Sequence, residues 1–192
     1  MEIKNRCFGD RKGQEIYAEY HDTEWGIAKY NDRELFELLI LEGAQAGLNW
    51  ETILKKRQGY RDAFYNFDPI KVANMSDAEL DSLRSNPKII RNKLKIYSTR
   101  KNAQVFLKIQ KEFESFSNYL WSFVNHKPIK NSWQSHKDVP AYTNISEKIS
   151  KDLNKRGMSF VGPTIIYAYM QATGLVNDHL VDCWCYKKEG DL

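Results

Sequence analysis

The chain has 192 residues, 42% hydrophobic and 28% charged, with 29 Lys and Arg against 25 Asp and Glu and a formal net charge of +4. That length and mixture suit a single folded domain over residues 1–192, with a core of its own, and exclude a disordered or low-complexity chain. No run approaches the roughly 18 apolar residues of a membrane helix, and MEIKNRCFGD lacks the apolar stretch of a secretory signal, so a cytoplasmic protein without membrane contact is expected.

In chain order, Tyr17 and Tyr20 stand three apart and share a face if that stretch is helical. Asn31 or Asp32 can cap a helix running to about Ala46, which Gly47 ends. Within it Leu35, Leu38 and Leu39 form one stripe, and Glu42 takes the place where an apolar residue would continue it. A carboxylate on a core-facing stripe is costly unless something compensates it, so Glu42 is either a satisfied structural acid or awaits a partner outside this chain. Asn49 caps the next helix, with Trp50, Ile53, Leu54, Arg57 and Phe64 near one face. Asp68-Pro69 reads as a cap with a first-turn proline, and Ser76 to Glu79 as a capping box. The longest helical stretch opens at Asn86-Pro87. A further helix is expected at about Tyr119–Asn125. Pro128, the polar run 131–144 and Pro140 then make a long loop, with His126 and His136 read as surface residues. Helices at about Ser146–Arg156 and Pro163–Thr173 flank a short hairpin, GMSFVG. No segment alternates long enough to count as a strand, and the predicted fold class is all-α.

Three groups of residues carry candidate chemistry. Around SFVGPT, a glycine turn opening a helix presents unpaired N–H groups at the positive end of a dipole, with Lys155 and Arg156 adding charge; this is either a phosphate site or a simple helix corner. In HLVDC, His179 and Cys183 are four apart and would face one way on a helix. With Cys7 and His21 they would make a closed Cys₂His₂ zinc site joining the two termini, structural because no position is open to water. Spacing alone leaves a buried histidine with inert thiols open as the alternative, and Cys185 would point away if the helix continues. Tyr17, Tyr20, Trp25, Glu42 and Trp50 combine aromatic walls with one acid, which suits a flat cationic ligand; an aromatic core with a capping glutamate is the alternative.

The blocks YAEYHDTEWG, LFELLILEGAQAGLNW, TILKKR, FDPIKV, WSFVNH, NKRGMSFVGPTI and MQATGLVNDHLVDCWCY resemble, in order and spacing, the bacterial 3-methyladenine DNA glycosylase I family. The likeness runs over about residues 6–186. It implies a fold of the helix-hairpin-helix glycosylase superfamily, with GMSFVG and its Gly162 gripping the DNA backbone. It implies Cys7, His21, His179 and Cys183 as ligands of one structural Zn²⁺. It implies a base pocket of Tyr17, Tyr20, Trp25, Glu42 and Trp50, with Glu42 the group that recognises and stabilises the cationic base. The turn from Gln45 through Gly47 to Leu48 would fill the gap left by the flipped nucleotide. The family often carries a tryptophan two residues after the first cysteine, where this chain has Phe8-Gly9, which leaves open whether Phe8 is a pocket wall.

The implied activity is base-excision repair. A monomeric, monofunctional enzyme would flip 3-methyladenine out of double-stranded DNA and hydrolyse its N-glycosidic bond, releasing the free base. No lysine is placed for a Schiff base, so no strand cleavage is expected, and neither Asp178 nor Asp182 is given a catalytic role. Two other classes compete: a zinc-stapled damage sensor without chemistry, and a catalytic zinc hydrolase, against which four protein ligands argue.

Overall fold

A computed structural model describes residues 4–186. Its centre is α2 (Asp32–Gln45), in which every residue from Leu35 to Ala44 is buried. The Asn31 side chain accepts from the N–H groups of Arg33 and Glu34 and so starts this helix, and Gly47, at φ +79°, turns the chain away after it. Around α2 stand α1 (Glu15–Thr23), α3 (Trp50–Ala63, capped by Asn49), α4 (Pro69–Ala73), α5 (Asp77–Leu83) and α6 (Lys93–Phe113). The helical shell continues with α7 (Phe116–Ser122), α8 (Asn144–Arg156) and α9 (Pro163–Ala172). Asp68 caps α4 ahead of its first-turn proline, and Ser76 with Glu79 closes the expected capping box on α5. Leu35, Phe36, Phe106, Trp121 and Tyr169 are among the fully enclosed core side chains. No helix among the described residues is long and apolar enough to cross a membrane.

The structure corrects four local expectations. The longest helix begins at Lys93, capped by Asn92, and not at Asn86-Pro87. Asn86 makes a turn instead, accepting from the Lys88 N–H, because the following segment is drawn onto α3: Ile89 is buried, and the Ile90 N–H donates to the Tyr60 hydroxyl. The helix expected near Tyr119 starts at Phe116, since Ser115 caps it and the Asp32 carboxylate accepts from the Phe116 and Ser117 N–H groups, both at 2.8 Å. Two short strands are present, β1 (Ile129–Lys130) and β2 (Val176–Asn177), paired in parallel. Two residues each are too few for any alternation to register in the sequence. Finally, His179 and Cys183 do not lie on a helix; a turn closed by the Cys183 N–H to the Leu180 carbonyl carries them.

Candidate active site

Two acids sit in the buried stretch of α2, and their fates differ. Glu37 meets the guanidinium groups of Arg57 and Arg61. Glu42 is 3% exposed and makes no hydrogen bond or ion pair among the described residues, and burial pushes its carboxyl up to about 8. It faces a cleft of about 330 Å³. The aromatic walls come from α1, which sets Tyr17 and Tyr20 on one face, from Trp25 just beyond it, and from Trp50 at the start of α3. Phe8 also lines this cleft, stacked on Tyr17 with ring centroids 4.4 Å apart and edge-on to Trp25 at 5.0 Å.

The electrostatics of the cleft follow from burial. The Tyr17 phenol is pushed up to about 12, chiefly by burial and further by Glu42, and Tyr20 is raised for the same two reasons. Both therefore present neutral hydroxyls at physiological pH. The Trp50 indole N–H is buried without an acceptor among the described residues. The unpaired acid in the lining thus has capacity for an incoming ligand, beside the ring of Trp50.

Sequence reasoning missed part of the lining: His136, Val139, Gln171 and Asp178. His136 is exposed as expected, yet its Nε2 donates to the Cys7 carbonyl at 2.7 Å and so fastens the 131–142 loop beside the cleft. No sequence signal marks a contact between residues so far apart. Asp178 is saturated, accepting from Asn131 (2.7 Å), Trp133 (2.8 Å), Tyr167 (2.6 Å) and Gln171 (2.8 Å). A carboxylate so occupied holds a loop in place and has no lone pair spare for water activation. Asp182 is exposed and accepts from Asn5.

Behind the Trp25 wall, Cys7, His21, His179 and Cys183 converge, all buried, with their ligand atoms within 4.8 Å of one another. Cys7 Sγ lies 3.7 Å from His179 Nδ1, and Cys183 Sγ lies 3.4 Å from His21 Nε2 and 3.6 Å from His179 Nδ1. A tetrahedral centre bound to sulfur at about 2.3 Å and nitrogen at about 2.0 Å has S···N edges of about 3.5 Å, so the four donors fit a metal ion. The surrounding shell fits as well. His21 Nδ1 meets Asp22 at 2.9 Å, Arg6 clamps that carboxylate, and the Leu180 and Cys185 N–H groups donate to the two sulfurs. Both cysteines are free thiols, and the hydrogen bond they share draws Cys183 well below the thiol range, against the opposing effect of burial, while the same hydrogen bond together with burial pushes Cys7 up. Cys185 is not turned away as expected; its sulfur is 3.9 Å from His21 Nδ1, at the edge of the cluster.

The two other predicted elements lie at the surface. The turn after α2 leaves Gln45 lining the cleft and Leu48 43% exposed at its tip. The turn between α8 and α9 begins at Gly157 (φ +104°) and ends at Gly162, where an added Cβ would meet nothing within 4 Å. The N–H groups of Val161, Gly162 and Thr164 have no acceptor among the described residues. Of the two cations assigned to it, Lys155 is exposed, but Arg156 is bound at 2.6 Å to both Glu112 and Asp152 and lies over Phe113 and Tyr119. Arg156 therefore braces the helix; Lys101, whose Nζ is 3.5 Å from the Ser159 hydroxyl, is the basic residue beside the turn.

This helical body, with an aromatic cleft in which Glu42 is the unpaired acid, has the form of the helical DNA glycosylases that it resembles. Within that class the chain belongs to the methyladenine glycosylase family, whose family model matches residues 11–186. The chain is 49% identical over 172 residues to a DNA-3-methyladenine glycosylase of Haemophilus influenzae, covering 90% of this chain and 93% of that one. A solved 3-methyladenine DNA glycosylase I is similar with a TM-score of 0.92 at 43% identity, over 95% of this chain and 100% of its own. A glycosylase I from Staphylococcus aureus, solved to explain its recognition of 3-methyladenine, is similar with a TM-score of 0.92 at 38% identity, over 97% and 99% of the two chains.

Proposed function

We propose that this protein, acting as one domain of the helix-hairpin-helix superfamily, flips 3-methyladenine from duplex DNA and hydrolyses its N-glycosidic bond without cutting the strand. The observation that carries this reading is Glu42, a buried carboxylate with no partner of its own in an aromatic cleft. While attached to the sugar, a 3-methylated adenine is a delocalised cation, the ligand that Glu42 and the rings complement. Ring contacts of this kind contribute roughly 1–2 kcal/mol each once desolvated. Water adds to C1′ of an oxocarbenium-like sugar, the C1′–N9 electron pair departs with the base and neutralises it, and the water proton passes to solvent. Because the leaving group is already cationic, little acid catalysis is needed, in keeping with the saturated Asp178. Leu48 is the side chain that enters the vacated stack, with Gln45 and Gly47 shaping its turn.

Zinc suits the two-sulfur, two-nitrogen donor set of Cys7, His21, His179 and Cys183, and its role is structural, since four protein ligands complete its coordination. The deciding experiment is a base-release assay. The protein should free 3-methyladenine from methylated DNA and leave neutral hypoxanthine essentially untouched. A damage sensor would release neither base.

The turn at Gly162 supplies a further expectation. Its unpaired N–H groups at the start of α9 suit a phosphate, and Gly162→Asp places a negative charge there. Affinity for damaged and undamaged duplex should fall together, by about tenfold or more, because phosphate contacts carry no base information. Filter binding across a salt series measures this. Unchanged affinity at every salt concentration would reduce the turn to a helix corner.

A further inference from the structure

The turn after α2 that carries Leu48, here called the wedge turn, and the α8–α9 hairpin are fastened to the same face of one helix. On α6, Lys95 and Asn102 are seven residues apart, two turns along a single face. The Lys95 ammonium donates to the carbonyls of Ala44 (2.8 Å) and Ala46 (2.6 Å), the last turn and cap of α2. A cation there answers carbonyls that the helix end leaves unpaired and complements the negative end of its dipole. Asn102, 3% exposed, grips the hairpin with both ends of its amide: it donates to the Ser159 carbonyl and accepts from the Ser159 N–H, each at 2.9 Å.

The two fastened segments also touch each other. A Cβ on Gly43 of α2 would come within 3.2 Å of the Phe160 Cβ, and Phe160 holds a left-handed φ of +59° at that point. Glu42, Gly43 and Ala44 are consecutive, so one turn of α2 faces the base cleft, the hairpin and Lys95 in succession.

We infer that Lys95 and Asn102 are positioning residues that set the spacing between the Leu48 turn and the hairpin, so that phosphate grip and gap filling act in one register on the duplex. This rests on the readings of Leu48 as the residue that enters the stack and of the Gly162 turn as the phosphate grip. A side chain that displaces a stacked nucleotide needs a stiff base, and the Lys95 bonds stiffen the turn that carries it. Lys95 is not among the residues that line the base cleft, so its effect belongs to flipping and not to base recognition.

The test compares wild type, Lys95→Met, Lys95→Arg, Leu48→Ala and the Lys95→Met/Leu48→Ala pair, with folding checked by circular dichroism. Three quantities are measured: single-turnover release from duplex DNA, release with the lesion opposite an abasic site, and free 3-methyladenine binding by tryptophan fluorescence. Lys95→Met should lower duplex release about tenfold, the scale of a lost charged hydrogen bond, and leave free-base affinity within about twofold. The deficit should shrink opposite the abasic site, where no pairing opposes flipping. Lys95→Arg should restore most of the duplex rate, and the double variant should be no slower than Leu48→Ala alone. If Lys95→Met unfolds, Lys95→Ala takes its place in the same comparison. Equal losses in all three measurements, or full duplex activity in Lys95→Met while Leu48→Ala is impaired, would overturn the inference and leave the wedge reading standing. Full duplex activity in Leu48→Ala would remove the wedge reading, and this inference with it.

Discussion

Glu42→Leu should abolish 3-methyladenine release and make the free protein more stable at pH 8 and above. The leucine continues the stripe of Leu35, Leu38 and Leu39, and it removes a carboxylate that is 3% exposed and unpaired. The pH dependence has a definite sign. Burial raises this acid from 4.5 to about 8 in the folded chain, so between those values the folded state holds a proton that the unfolded state has lost. Stability is therefore highest below pH 4.5 for this group and declines as pH rises to about 8, by an amount on the order of a few kcal/mol. Thermal melts of the wild type should show that decline across pH 5–8, and melts of Glu42→Gln and Glu42→Leu should show a flatter profile.

Activity should run the other way, because the ionised form complements the cation. The kcat/KM of the wild type should rise with pH toward about 8, the value for the free enzyme. The acidic limb of kcat should lie lower, since a bound cation favours the carboxylate. Glu42→Gln keeps the shape and one acceptor while removing the charge, and it should impair excision more than DNA binding. Full activity in Glu42→Leu, or a kcat/KM that ignores pH, would show that charge complementarity is the wrong account. The trade of stability for recognition is common at functional sites.

The second large effect is expected at the Cys/His cluster. On the proposed zinc reading, Cys183→Ala should abolish metal binding, as read by elemental analysis against the wild type, and lower stability by several kcal/mol. The cluster joins residues 7 and 21 to residues 179 and 183, so its loss reopens a loop spanning nearly the whole chain. Hydrogen exchange should quicken in both terminal segments and hardly change in the interior of α6. The consequences also reach the cleft. Phe8 follows Cys7 and stacks on Tyr17, and the Trp25 carbonyl lies 3.3 Å from His179 Nε2. Below its melting temperature the variant should keep kcat near that of the wild type while KM rises a few-fold, about the change of one loosened wall. A metal-free wild type of undiminished stability would end this account.

Much of the helical framework was legible because helix starts are local. The side chains of Asn31, Asn49, Asp68 and Ser76 accept N–H groups two or three residues ahead, so a window of four residues contains the whole interaction. Glu42 was legible as a defect in an apolar stripe, and its aromatic companions through the resemblance of whole motif blocks. At one place tertiary packing overrode the local signal: Asn86-Pro87 reads as a helix start, but the Ile90 N–H bonded to Tyr60 keeps the following segment on α3, and α6 starts only after Asn92.

The cluster was half legible. The four residues stood out by type, but the helix invoked to align His179 with Cys183 is absent, and a turn brings them together. Arg156 looked like a DNA cation and proved to be held by Glu112 and Asp152. His136 on Cys7, four donors on Asp178, and Lys95 and Asn102 on the wedge turn and hairpin left no trace in sequence pattern. Local propensity sets which residues can start, stop or line an element, because those interactions close within a turn. Which of many similar lysines, asparagines and histidines meets a given carbonyl is set by the packing of helices distant in the chain, and only the tertiary structure decides it.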